Sequence, residues 1–274
     1  WRQNLVNAAV YIFNKKSIKE INFIPGRPDI AKDLFPLMIE FKNKLYGYIS
    51  TEYIKDMGTP QRLAKVERDI DSGKVELLRN KTPKMAIFLD RDGTINKEVE
   101  HLSNLEDFEL INGVGKAIYQ INAAGILAVV VTNQPVIARG ELQESGLQVI
   151  HNKMDTLLGR EGAYVDRLYY CPHHTDNGFE GEVKALKFNC DCRKPKIGMF
   201  MQAEKDLNIN LKKSWVIGDS TRDILAAKNA GMRSVLVQTG HAGKDESYKV
   251  KPDFIAEDLG VAVQMIMQEV KNDC

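Results

Sequence analysis

Two short runs, MAIFLD over Met85–Asp90 and GILAVVVT over Gly125–Thr132, are apolar at almost every position. A strand with one wet face alternates apolar and polar residues. An unbroken apolar run therefore belongs to a strand covered on both faces, the condition of a parallel sheet with helices on either side. Between the two runs, Val114–Gly125 has the spacing of an amphipathic helix and closes on a glycine. The alternation continues: Arg167–Cys171, Ser214–Asp219 and Ser234–Thr239 read as strands, with helices near 141–158, 198–207, 221–230 and 258–270. The expected fold class is α/β, a doubly wound and mostly parallel sheet of about five or more strands. No internal repeat or low-complexity tract interrupts it.

The first 76 residues read differently. Ala8–Phe13 and Leu45–Ser50 are strand-like, Asp29–Phe41 is helix-like, and a helix is expected from Pro60, capped by Thr59 and ending near Asp71–Lys74. The expected organisation is thus a first part over 1–76, a linker over 77–84 and the α/β domain over 85–274. The 38 basic and 37 acidic side chains leave a formal charge of +1. There is no basic excess or stripe of the kind that binds nucleic acid. The longest apolar run, Ala123–Val131, is too short to cross a bilayer. No secretory signal heads the chain, and three of its four cysteines cluster with histidine, so a cytoplasmic, reducing setting without a membrane partner is expected. Composition says nothing of the oligomeric state.

In such a sheet the active site lies beyond the carboxyl ends of the strands. Three ends carry chemistry there: Asp90 and Asp92 in FLDRDGTIN, Thr132 and Asn133 in VVVTNQP, and Asp219 and Asp223 in VIGDSTRD. Asp90 and Asp219 could supply the oxygen ligands that Mg²⁺ requires. One carboxylate can attack phosphorus to form an aspartyl-phosphate while a second acid protonates the leaving oxygen. Thr132 and the amide after it can hold phosphate oxygens, and a lysine such as Lys194 can neutralise the transferring group. Together they point to an enzyme of phosphoryl chemistry.

A second centre is written in CPHH, from Cys171, and CDCRKP, from Cys190. Three thiolates and one imidazole fill a tetrahedral Zn²⁺ and leave no position for water, which makes such a site structural. Cys171, Cys190 and Cys192 are the sulfur ligands; either His173 or His174 could be the fourth. Arg193 and Lys194 follow the second knuckle directly, so a clamped loop over 171–192 would place both cations in advance.

Residues 85–274 resemble the haloacid-dehalogenase-type phosphatases, and among them the D-glycero-D-manno-heptose 1,7-bisphosphate phosphatase and histidinol-phosphatase group. Asp90-Arg91-Asp92-Gly93-Thr94 matches the first motif. The resemblance implies that Asp90 is the nucleophile and Asp92 the acid/base, with the Asp92 carbonyl also on Mg²⁺. It implies that Thr132 binds phosphate beside Asn133, that Lys194 is the phosphate lysine after Arg193, and that Asp219 is the third metal residue, supported by Asp223. It favours His173 over His174 as the zinc ligand. Arg139 becomes a candidate for a distal phosphate or hydroxyls. The implied substrate is a small phosphorylated sugar of surface-polysaccharide or nucleotide-sugar metabolism, with histidinol phosphate as the alternative. Segment 96–110 is too short for a cap domain, and Pro135-Val136 departs from the small, glycine-containing continuation usual after Asn-Gln, which bears on fine specificity.

Residues 7–13 and 53–60 resemble the late motifs of sugar-1-phosphate nucleotidyltransferases. The matching positions are Asn7, near the sugar, and Asp56, on the catalytic metal. The glycine-rich nucleotide loop of that family is missing, so Asn7 and Asp56 are expected to be inert here. The segment reads as the tail of a transferase domain from a longer, bifunctional chain that would activate heptose 1-phosphate.

Overall fold

The computed structural model describes residues 1–19 and 26–272. Contacts divide the chain into two compact units, Leu5–Ile54 and a larger one made of Trp1–Asn4 with everything from Lys55 onward.

The smaller unit holds helix α1 (Lys15–Lys19), a single π turn over Ile30–Leu34 and helix α2 (Phe35–Glu40). Asp29 caps the π turn, its carboxylate accepting from the Ala31 and Lys32 amides at 2.8 Å. Tyr11 and Phe13 gather on Phe35, the Tyr11 ring meeting it edge-on at 5.1 Å. The strand-like runs Ala8–Phe13 and Leu45–Ser50 do not form strands, and Val10, Ile12, Tyr46 and Tyr48 are exposed. A strand is stable only where another strand pairs with its backbone, and this unit has none among its described residues.

The larger unit begins with helices α3 (Pro60–Asp71) and α4 (Lys74–Leu77). As expected, Thr59 caps α3 by accepting from the Arg62 amide. There follow β1 (Ala86–Leu89), α5 (Val114–Ala123), β2 (Leu127–Asn133), α6 (Pro135–Ala138), α7 (Glu144–Arg160), β3 (Arg167–Cys171), α8 (Gly198–Leu207), β4 (Trp215–Gly218), α9 (Thr221–Asn229), β5 (Arg233–Val237), β6 (Phe254–Ala256) and α10 (Leu259–Asn272). The six strands form one parallel sheet in the order β3-β2-β1-β4-β5-β6. Strand β6 escapes the sequence reading because only Phe254, Ile255 and Ala256 form it, at the sheet edge, with Ile255 exposed.

Both faces are covered, as the apolar runs require. Ile87 and Leu89 of β1 point into a core shared with Ile118 and Ile121 of α5, Met154 of α7 and Val263 and Ile266 of α10. Phe88 points the other way and meets Phe200 of α8 edge-on at 5.0 Å. The sheet order reverses between β1 and β4, and in open α/β sheets the ligand site lies beyond the carboxyl ends of the strands at that point. Within the larger unit, the segment after β1 forms no separate cap domain among the described residues; it folds back through Asn96 and Leu110, with the Lys97 amide donating to the Glu109 carbonyl.

Candidate active site

Register delivers the functional side chains to one edge. Leu89 of β1 lies level with Val130 of β2 and Ile217 of β4, so Asp90, Thr132 and Asp219 follow within two residues on neighbouring strands. The backbone of the loop after β1 must pass very close to Asp219. A Cβ on Gly93, at φ +73°, would stand 2.2 Å from an Asp219 carboxylate oxygen, and one on Gly240, after β5, would do the same. Only glycine leaves that room.

Lys194 ties the carboxylates together. Its ammonium lies 2.9 Å from Asp90 and 2.6 Å from Asp223 and donates to the Val131 carbonyl at 2.8 Å, with the side chain 1 % exposed. Burial opposes its charge, but Asp223 and Asp90 more than offset this and raise its pKa. Asp223 is held low against its own burial chiefly by Lys194 and closes the capping box of α9 with Ser220. Asn133 grips the peptide of Lys194 from both sides, accepting from its amide at 3.0 Å and donating to its carbonyl at 3.1 Å. The sequence reading placed Asn133 beside the phosphate; in the structure its amide locates the lysine.

Carboxylate oxygens of Asp90, Asp219 and Asp223 lie within 4.8 Å of one another. Burial, then Asp223 and Asp90, push the Asp219 pKa up to about 9, and burial, then Asp223, push Asp90 up to about 7. Buried acids crowded in this way ionise readily only beside a cation, and an all-oxygen set suits a hard divalent one. The donor set therefore fits Mg²⁺. Glu98 and His241 form a second group around the same Asp219. In the metal-free chain, the stability from protonated Asp90 and Asp219 is complete only below the unfolded carboxyl pKa of about 4 and is lost as pH rises through their raised values. The melting temperature of metal-free protein should fall between about pH 5 and about pH 9, and Mg²⁺ should flatten the trend. A rise over that interval would contradict this account.

Asp92 stands apart from the carboxylate cluster. Burial favours its neutral form, but the Arg91 guanidinium and hydrogen bonds from Asn96, Arg91 and Gln134 prevail and lower its pKa. Thr132 is buried and its hydroxyl accepts from the Gln134 amide at 2.8 Å. Arg91, Asn96, Gln134 and His151 were missed by sequence reasoning. Arg91 and Gln134 adjoin residues the motifs single out, whereas His151, inside α7, carries no local signal. Burial and Arg91 push the His151 pKa down to about 3.

At the end of β3, Cys171, His173, Cys190 and Cys192 converge. The three sulfurs are 3.1–3.4 Å apart, and His173 Nδ1 lies 3.2 Å from Cys192 Sγ and 3.6 Å from Cys171 Sγ. A tetrahedral zinc spaces its sulfur ligands about 3.8 Å apart, so slight expansion would admit the ion. The thiols are free rather than disulfide-bonded. His174 turns away, its Nδ1 accepting from the Asp176 amide and its Nε2 facing Arg139. Arg193 donates from this loop to the His173 carbonyl. Arg139 lies over the Phe179 ring at 4.6 Å and contacts His101 and His174, so it belongs with the loop rather than with the carboxylates.

A HAD-hydrolase-like family model matches residues 191–262. The D-glycero-beta-D-manno-heptose-1,7-bisphosphate 7-phosphatase of Haemophilus ducreyi is 46% identical over 178 residues, which is 64% of this chain and 94% of that protein. The Escherichia coli K12 protein of the same name is 37% identical over 68% of this chain and 95% of its own length. Among solved structures, the D,D-heptose 1,7-bisphosphate phosphatase of B. bronchiseptica, complexed with magnesium and phosphate, superposes with a TM-score of 0.59. It is 31% identical and covers 68% of this chain and 99% of that one. No helix among the described residues is long and apolar enough to cross a membrane.

Proposed function

The chain belongs to the HAD-type phosphatases, as a relative of the heptose-1,7-bisphosphate 7-phosphatases, and from that premise we propose that it removes the C7 phosphate of D-glycero-D-manno-heptose 1,7-bisphosphate. The product would be heptose 1-phosphate. The observation that carries the chemistry is Lys194 bridging Asp90 and Asp223 inside the cluster that contains Asp219. Turnover of the heptose bisphosphate should exceed that of histidinol phosphate by at least about tenfold in kcat/KM, a difference of about 1.4 kcal/mol in transition-state binding. Equal or better use of histidinol phosphate would transfer the assignment to that substrate.

The proposed residue roles are these, supported by the convergence of Asp90, Asp219, Asp223 and Lys194. Asp90, whose Oδ2 faces Lys194, attacks phosphorus and forms the aspartyl-phosphate. Asp92 protonates the leaving sugar oxygen and then takes a proton from the water that releases phosphate. Thr132 holds phosphate oxygens, and Lys194 offsets the charge that develops on the transferring group. Arg193 and Arg139, both held in or against the cysteine loop, are the proposed contacts for the body of the substrate. Asp90, Asp219 and the Asp92 carbonyl would hold Mg²⁺, which supplies charge neutralisation on the phosphoryl group. Lys194→Ala should lower kcat/KM by about 10²–10³-fold, the scale of losing one preorganised electrostatic donor. It should also destabilise the fold by roughly 3–5 kcal/mol, because two buried carboxylates lose their common cation. Steady-state kinetics and urea melts measure both, and a stable, fully active variant would remove Lys194 from the site.

The cysteine cluster we read as structural zinc held by Cys171, His173, Cys190 and Cys192, supported by the spacing of its four donor atoms. Free thiols at such close range favour a cytoplasmic setting. We read residues 1–76 as nucleotidyltransferase-like, 77–84 as a linker and 85–274 as the phosphatase domain, so that the parent chain would be multifunctional. Asp56 sits in the turn before α3, accepting from the Gly58 amide and pairing with Arg62. Assay of a longer parent chain with sugar 1-phosphate and nucleoside triphosphates tests this, and absence of nucleotidyl transfer would refute it.

A further inference from the structure

The Asp92 carboxylate accepts from three side chains at once. Its Oδ1 receives Arg91 Nε at 3.1 Å, Arg91 Nη2 at 2.8 Å and Asn96 Nδ2 at 3.0 Å. Its Oδ2 receives Arg91 Nη2 and Gln134 Nε2, both at 2.8 Å. Arg91 is fully buried and is the bulkiest of the most deeply buried side chains among the described residues. A guanidinium only donates, so each of its other contacts must be an acceptor. Gln134 Oε1 is one, at 3.0 Å from Nη2, and this fixes the orientation of the Gln134 amide and aims its Nε2 at Asp92. His151 Nε2 is the other, at 3.2 Å from Nη1, and it must present a lone pair there. His151, Gln134 and Asn96 are themselves buried, so none can exchange its partner for water.

We propose that Arg91, braced by His151 and Gln134, is a positioning residue that fixes the Asp92 carboxylate for the second half of the reaction. In that half, a water oxygen bonds to phosphorus and the bond from phosphorus to the Asp90 oxygen breaks. Asp90 leaves as carboxylate, one water proton passes to Asp92, and inorganic phosphate departs. A base serves this step only if its accepting oxygen is held where the water must lose its proton. The fork from Arg91 holds the carboxylate in one plane, and His151 anchors the far side of the fork from α7. Without that acceptor a buried N–H of Arg91 is orphaned, and the guanidinium must turn to satisfy it. The proposal rests on the phosphatase reading of Asp90 and Asp92.

The full chain with Mg²⁺ and 4-nitrophenyl phosphate isolates the step, because this leaving group needs little help from an acid. Wild-type turnover establishes the phosphatase reading independently; failure of the wild type to turn over would strike that reading and not the network. In His151→Leu, release of phosphate should become rate-limiting. Then kcat falls about tenfold or more, the lower part of what a general base contributes. KM should fall in parallel, so that kcat/KM stays within about threefold, and acid quenching should trap close to one phosphoryl group per chain. His151→Gln, which retains an acceptor oxygen, should recover most of kcat. A merely structural role would lower kcat and kcat/KM together with no trapped phosphoenzyme, and that result would overturn the proposal. If His151→Leu does not fold, Arg91→Lys, which keeps the charge and loses the fork, is read in the same way. Failure of both variants to fold would assign the network to stability and overturn it as well.

Discussion

Asp90→Asn is expected to abolish turnover, by on the order of 10⁴-fold or more, the scale on which covalent hydrolases lose activity with their nucleophile. An amide oxygen cannot form the acyl-phosphate and is a poorer partner for a divalent cation. The fold should survive. Asp90 sits just past the end of β1, and the backbone hydrogen bond from its amide to the Ile217 carbonyl does not involve the side chain. The change also relieves a carboxylate that burial and Asp223 already push towards protonation. A fluoroberyllate phosphoryl mimic should form its adduct with wild-type Asp90 and with no other residue. Activity retained in Asp90→Asn, or an adduct on Asp92, would overturn the assignment.

Cys190→Ser is expected to be the most damaging change away from the carboxylates. Cys190 is buried, with the Cys171 sulfur at 3.4 Å and the Cys192 sulfur at 3.2 Å. On the zinc reading, the free energy of metal binding is free energy of folding. A loss of only about 3 kcal/mol would lower the melting temperature by roughly 6–12 °C in a domain of this size. Phosphate affinity should fall as well, because Lys194 leaves the same loop and must reach Asp90 from it. Elemental analysis of the wild type, with melting before and after chelation, measures the effect. Metal-free protein with an unchanged melting profile would remove zinc from the account.

The sheet and the motif residues were legible because each rests on a local pattern. Uninterrupted apolar runs mark buried parallel strands, and strand-end aspartates mark the edge at which they emerge. Asp90, Thr132 and Asp219 meet because β1, β2 and β4 are neighbours in register, a long-range fact to which the sequence contributes only through strand order. The clustering of Cys171, Cys190 and Cys192 with a histidine was legible from their spacing, and the structure turns His173 to the sulfurs and His174 away. What stayed hidden depends on tertiary context. His151 looks like any polar residue on a helix, and only packing of α7 under the site gives it Arg91 as a partner. Asn133 reads as a phosphate neighbour, but its amide is used on the lysine backbone. The runs Ala8–Phe13 and Leu45–Ser50 have strand composition without a sheet to join, and composition cannot supply a pairing partner.

The strand order has a consequence for the chain during its own synthesis. Asp90 and Asp219 are sheet neighbours, yet the chain makes β2, β3 and the cysteine loop before β4 can dock against β1. A ribosome that has released only the first of these strands exposes Asp90 without Lys194 and without Asp219 and Asp223. On the proposed roles, the nascent polypeptide is expected to be catalytically silent until most of the sheet has closed. On the same roles, premature termination anywhere before β4 is expected to yield an inert fragment rather than an unregulated hydrolase.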